Sequence, residues 1–278
     1  MSPSATGGGR DTAAHLMQSI LDGARFLLNM TAAMLRFMHM VFLTGSLLGA
    51  AGAAHGQLGH EIARKHAARA GDKLAALTAL RAEGRTFIND EVVPFTMVAQ
   101  RPNRLRVESF SPLRRVIQAY DGTGVPWVSH SDVRNGAALD MAESEAKDFI
   151  TNADFDGPLI NYEEKGFSVD YAGEEVIDGR KAYKLLLMNK SDNIFFLWVD
   201  AGTYEVVKRT VYRVFKDQRV AVDTFFKDFH DVGGVLQPHR VETTANGRTL
   251  YVMIIDRMEP NPAAIPSETF ARPVVAQP

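Results

Sequence analysis

A chain of 278 residues with 46% hydrophobic and 23% charged side chains can bury the core of one large domain or two small ones. Its net charge of −2 excludes a nucleic-acid binder of the ordinary kind, because neutralising phosphates takes a basic surface. The chain has no cysteine, so no disulfide enters and stability has to come from packing.

Residues 1–54 read as a leader. Arg36 precedes an apolar run from Phe37 to Leu48, and the small-residue stretch Gly49 to Ala54 follows. A basic residue, a short apolar core and an Ala-x-Ala exit at Ala51-Gly52-Ala53 make a secretory signal, with cleavage expected after Ala53 or Ala54. The run is shorter than the roughly 20 residues a membrane span needs; an uncleaved amphipathic anchor is the other reading. The segment ahead of Arg36 is long for a signal, and a start at Met30 or Met34 would remove it. Gly7-Gly8-Gly9 has no strand and helix around it and is no phosphate loop. No cysteine follows the signal to take a lipid, so a soluble periplasmic protein is expected rather than a lipid-anchored one.

From His55 to Gly84 a helical region is expected, with Asp72 as a cap and Leu74, Leu77 and Leu80 as its apolar stripe. Gly84 is its expected end. His55, His60 and His66 lie ahead at spacings that do not stack on one helical face, and His60-Glu61 lacks the second histidine of a zincin. No metal is expected there, copper at an N-terminal His55 being the alternative. A first strand runs from Arg85 to Asn89, and Asn89-Asp90-Glu91 turns the chain into the next block.

That block, Pro94 to Ser129, reads as four short strands. Phe95, Met97 and Ala99 alternate with Thr96, Val98 and Gln100, so one face can cover something apolar. Arg101-Pro102-Asn103 breaks the ladder. Leu105 to Phe110 and Arg114 to Tyr120 resume it around Ser111-Pro112, and Asp121-Gly122-Thr123-Gly124 supplies a hairpin turn before Trp127.

The order RPN, strand, Pro turn, DG and Trp resembles the LolA/LolB-like family of outer-membrane lipoprotein-sorting proteins, and the likeness extends more loosely from about Leu74 to Pro273. It implies an α+β fold: an incomplete, strongly curved antiparallel β-barrel of about eleven strands, with an N-terminal helix and short lid helices over a greasy cavity.

Further along, Asn135-Gly136 reads as a turn and Glu143 to Ile150 as a short helix with Phe149 on its apolar side. The Gly-Pro loop Asp154 to Ile160 carries Phe155, Leu159 and Ile160. These four apolar residues suit a lid over a cavity, or a plug for the open end of a barrel. Seven strands follow: Phe167 to Tyr171, Lys181 to Met188, Ile194 to Asp200, Glu205 to Val214, Arg219 to Phe229, Gln237 to Thr244 and Thr249 to Arg257. With no helices between them they argue an antiparallel meander. The stretches YAGEEVIDGRKAYKLLL, FFLWVDAGTYEVVKR and SETFARP are also similar to segments of the sorting family. No linker or repeat divides the remainder, so residues 55–278 are expected to form a single domain.

For function, the resemblance implies a soluble periplasmic carrier that takes an acyl chain or other apolar lipid, including that of a lipoprotein, towards the outer membrane. It implies an inner-membrane ABC transporter that loads the carrier and an outer-membrane acceptor, with the carrier a monomer and without cofactor. Arg101 matches the family's lid-latching arginine; a surface ion pair is its plainer alternative. By parity, Phe95, Met97, Leu105, Val107, Trp127, Leu185, Phe196 and Val207 are the candidate cavity residues. An enzyme is not expected. The acidic pairs Asp154/Asp156, Glu163/Glu164 and Glu174/Glu175 read as solvated loop charges, and His130, His230 and His239 lack a nucleophile partner. A periplasmic sensor or regulatory binding module on the same half-barrel is the alternative function. The acidic connection from Asp140 to Gly166 departs from the lipoprotein carriers and leaves the cargo open.

Overall fold

The computed structural model describes residues 48–112, 114–131, 137–189, 194–215 and 218–273. Most of the expected leader, the Gly7-Gly8-Gly9 run and the Asn135-Gly136 turn lie outside the described residues.

Thirteen strands form one antiparallel sheet. After helix α1 (Leu48–Ala76), a first meander runs through β1 (Ala79–Ile88), β2 (Glu91–Gln100), β3 (Arg104–Ser111), β4 (Arg114–Tyr120), β5 (Trp127–His130) and β6 (Ala138–Asp140). Helix α2 (Glu143–Ala153) and a loop lead to the second meander: β7 (Phe167–Ile177), β8 (Arg180–Asn189), β9 (Ile194–Asp200), β10 (Val206–Phe215), β11 (Gln218–Val232), β12 (Val235–Ala245) and β13 (Arg248–Pro260). A 3-10 turn, Ser267–Phe270, follows. The meanders join where β1 pairs with β13, which leaves β6 and β7 as the two edges. The sheet is curved and unclosed, as a LolA-like incomplete barrel requires.

Short turns set the register. Asn89-Asp90, Asp178-Gly179 and Asn246-Gly247 each place two successive residues at positive φ, the conformation that matches the twist of a two-residue hairpin. These polar and glycine pairs tolerate it at little cost.

The helix expected to reach Gly84 stops at Ala76. Leu77 lies in the connection, while Leu80 and Gly84 belong to β1. The three-residue spacing of the leucines concealed a two-residue period: Leu80 and Ala82 are buried, and Arg81 and Glu83 between them are exposed. Gly84 is needed for space. A Cβ there would stand 2.2 Å from the Ile254 carbonyl oxygen and 2.9 Å from the Phe95 ring. Within α1 the chain departs from helical geometry at Gly71 (φ 50°, ψ −142°).

The concave face is covered by helices and loop. Ile62 and Ala63 of α1 pack with Leu159, Val169, Leu185, Leu187, Phe195, Leu197 and Val199. Gly59 lets the helix close on β7, since a Cβ there would lie 2.9 Å from the Val169 carbonyl oxygen. Ala146, Phe149 and Ala153 of α2 pack with Ala99, Leu105 and Tyr120. The end of α1 joins Leu77, Leu80, Val232 and Val235 in a third cluster. Burying such aliphatic side chains stabilises by roughly 1.5–3 kcal/mol each, so covering this face is what offsets the cost of ordering the helices.

Candidate functional site

The route of the chain creates the site. β6 and β7 are consecutive in sequence yet lie at opposite edges of the sheet, so residues 141–166 have to cross it. They do so over the concave side: Phe149 packs with Leu105, Leu159 with Leu185, and Ile160 with the cluster at the end of α1. Phe155 touches two of these clusters. The crossing segment is thus a strap.

Arg101, in the turn between β2 and β3, ties that strap down. Its Nε donates to the Leu77 carbonyl at 2.6 Å and its Nη2 to the Leu74 carbonyl at 2.9 Å. These carbonyls belong to the last turn of α1 and the residue after it, where a helix leaves acceptors without internal partners. The same guanidinium donates through Nη2 to Asp156 Oδ1 at 2.6 Å and through Nη1 to Asp156 Oδ2. It lies 4.9 Å from the centre of the Phe155 ring. One side chain therefore joins α1, the sheet and the strap with a two-pronged carboxylate bond. The side chain of Asp156 is only 12% exposed, so it is not the solvated loop charge that sequence position suggested. Asp154 is likewise paired, with Lys165 Nζ 2.5 Å from its Oδ2, and Lys165 also donates to the Gly157 carbonyl at 2.8 Å.

Under the strap lies a cavity of about 220 Å³. Its walls come from α1, from the strap and from β9 to β12, and include Leu74, Phe155, Leu159, Leu197, Phe226 and Val235. Polar groups share the lining. His66 exchanges a hydrogen bond with the Tyr204 carbonyl through Nδ1 at 2.8 Å, so that nitrogen is the donor. Burial lowers its pKa to about 4, which keeps the imidazole neutral. Glu205 pairs with Arg69, yet burial outweighs that partner and pushes the carboxyl up to about 7. Arg209 donates from Nη1 to Asn152 Oδ1 at 3.2 Å. Of these, Glu205 and Arg209 carry no sequence signal of their own. For His66 and Arg69 the signal was positional: they fall on the stripe Ile62, Ala63, Ala70 and Leu74 that α1 buries.

The eight candidate cavity residues divide by face. Phe95, Met97, Leu105, Val107 and Leu185 pack on the concave side, with the helices or with neighbouring strands. None of the five lines the cavity itself. Trp127, Phe196 and Val207 lie on the opposite face, contrary to their assignment to the concavity. Trp127 pairs with Ala119 one position out of phase with Val128, which packs against α2. Its Nε1 instead donates to the Phe270 carbonyl at 3.3 Å, under the C-terminal turn. Phe196 and Val207 cluster with Trp198 and Ala182, beneath lysine side chains such as Lys208, 4.5 Å from the Trp198 ring. In β9 the concave set is Phe195, Leu197 and Val199, and at β10 a bulge between Val206 and Lys208 turns Val206 inward.

Among the described residues no cluster of three or more metal-binding side chains occurs, and no helix is long and apolar enough to cross a membrane. His230 and His239 stack on each other with ring centres 4.2 Å apart, and Asp228 accepts from His230.

An unclosed antiparallel half-barrel, with a helix and a strap filling its hollow, is the LolA-like fold. Solved structures share it, among them the following three. An outer membrane lipoprotein-sorting protein domain from Vibrio parahaemolyticus matches with a TM-score of 0.53 at 11% identity, over 77% of this chain and 97% of that one. A DUF1329 family protein from Desulfovibrio piger gives 0.54 at 13%, over 78% and 97%. A LolA superfamily protein from Nitrosomonas europaea gives 0.52 at 15%, over 77% and 97%. No protein-family profile and no curated protein sequence matches the chain.

Proposed function

We propose that the protein is a periplasmic carrier that holds the acyl chain of a lipid or lipoprotein beneath the strap, and that the described conformation is its closed state. The observation that carries this reading is Arg101, which fastens a strap carrying Phe155, Leu159 and Ile160 across a largely apolar cavity. A carrier has to release what it binds, so closure needs a driving interaction of its own. Arg101 is partly exposed and Asp156 less so, so separating them costs on the order of 3 kcal/mol, the low end of the range for buried pairs. An acyl chain gains about 0.8 kcal/mol per methylene buried. About four methylenes then offset the latch, and a longer chain holds the strap open until an acceptor takes it. The cavity as it stands is too small for a whole lipid, which fits a strap that has to lift. An inner-membrane ABC transporter as loader, an outer-membrane acceptor, a monomeric state and the absence of catalysis belong to the same proposal.

The test is native mass spectrometry with lipid extraction on protein purified from the periplasm, for wild type and Arg101→Leu. The variant should fold, copurify with more lipid and hand it to acceptor vesicles at least tenfold more slowly. Transfer at the wild-type rate would remove the latch. Protein that never carries lipid would remove the carrier.

A further inference from the structure

The charged groups that line the cavity do not balance. Arg69 is paired with Glu205, Asp156 with Arg101 and Asp154 with Lys165. Arg209 has no carboxylate partner among the described residues: its hydrogen bond is to the neutral amide of Asn152. Asp148 acts on Arg209 only through space, because both of its oxygens accept from Arg213. Burial lowers the pKa of Arg209, but a guanidinium stays charged in a protein. One cation is therefore in excess around the cavity wall, and among the described residues its five-donor guanidinium makes a single hydrogen bond. Arg69 adds another spare donor, since its Nε is buried without a hydrogen-bond partner among the described residues. A half-buried guanidinium that shares its counter-charge with a second arginine is a ready partner for an anion. The remaining wall, with Leu74, Leu197, Phe226 and Val235, suits hydrocarbon.

Resting on the carrier reading, we propose that the cargo is an anionic amphiphile, whose phosphate or carboxylate head is held by Arg209 while its acyl chain lies on the apolar wall. The arrangement selects the head by charge and accepts the chain by burial. Arg is suited to the first task because its planar fork meets two oxygens of such a head at once.

The experiment measures the affinity of delipidated full-length protein for lysophosphatidic acid and for the monoacylglycerol with the same chain, which differ by the phosphate alone. Inorganic phosphate serves as the chainless probe. The wild type should prefer the phosphorylated lipid at least tenfold. Arg209→Gln should bring the preference close to one, and Arg209→Lys should restore part of it, with all three proteins melting cooperatively. Equal affinity of the wild type for both lipids overturns the head-group assignment and leaves the carrier standing. Binding of neither lipid overturns both. Inorganic phosphate binding as tightly as the lipid would make this a site for free anions and overturn the amphiphile.

Discussion

Arg101 shows how much one side chain can organise. It spends its donors on two carbonyls at the end of α1 and on both oxygens of Asp156. A lysine could offer the charge without the fork. Release of lipid to acceptor vesicles should accordingly slow in the order Arg101→Leu, then Asp156→Asn, then Arg101→Lys, and an equal rate for all three would show that the fork is not what closes the strap. Glu205 and His66 make the molecule's response to pH readable. The carboxyl of Glu205 is raised to about 7, so the folded state holds its proton more tightly than the unfolded chain. That contribution is complete below about pH 4.5 and is lost as the pH rises through 7. His66, lowered to about 4, works in the opposite sense, with stability lost as the pH falls from about 6.5 towards 4. The two roughly cancel between pH 4.5 and 6.5. Comparing urea unfolding of wild type and Glu205→Gln isolates the first: the wild type should lose roughly 3 kcal/mol relative to the variant between pH 4.5 and 8, and parallel pH curves would deny the buried acid. The motif resemblance pointed to Arg101, but nothing local in the sequence revealed Asp156, 55 residues away, or the pairing of Arg69 with Glu205. Such contacts arise from topology.

At the scale of elements, parity decides what a strand residue touches, and a single bulge reverses it. The strands after Gly166 were legible because alternation and turn residues repeat over short intervals. The face was not, since both faces of β9 carry large apolar residues: Phe195 and Leu197 on one, Phe196 and Trp198 on the other. This makes neighbours in sequence a clean comparison. Leu197→Ala should destabilise by about 2–5 kcal/mol and alter lipid affinity, because Leu197 is 1% exposed and lines the cavity. Phe196→Ala should leave lipid affinity within twofold of wild type in the same titration. Equal effects on affinity would mean that the outer face also takes part in binding. The boundary between α1 and β1 was misread because Leu74, Leu77 and Leu80 satisfy a helical period by coincidence, while the demand for Gly84 is set by Ile254, far along the chain. Gly84→Ala should cost about 3 kcal/mol in chemical unfolding, since overpacking here meets backbone as well as a ring.

For the whole molecule, the connection between the two edge strands matters more than any strand. A closed barrel would have no edges to join, and a helix between neighbouring strands would pack beside the sheet. Here β6 and β7 are the far ends of thirteen strands, so their link has to span the hollow, and any ligand that enters lies against it. The strap is held at a few points: Arg101 to Asp156, Arg213 to Asp148, Arg209 to Asn152, and the apolar contacts of Phe155, Leu159 and Ile160, with Lys165 to Asp154 bracing it internally. The sheet beneath is a continuous hydrogen-bonded ladder. A chain of twelve methylenes gains roughly 10 kcal/mol in full burial, more than the latch can resist, and the latch yields before a ladder whose opening takes its packed core with it. Loading should therefore open the strap alone. Hydrogen exchange on lipid-loaded against delipidated protein should rise across residues 154–165 and at the end of α1, with β8 to β11 unchanged. Arg101→Leu without lipid should show the same pattern in weaker form. Protection that stays constant in the strap while the strands loosen would mean that lipid enters by spreading the sheet, and the strap would then be a fixed plug.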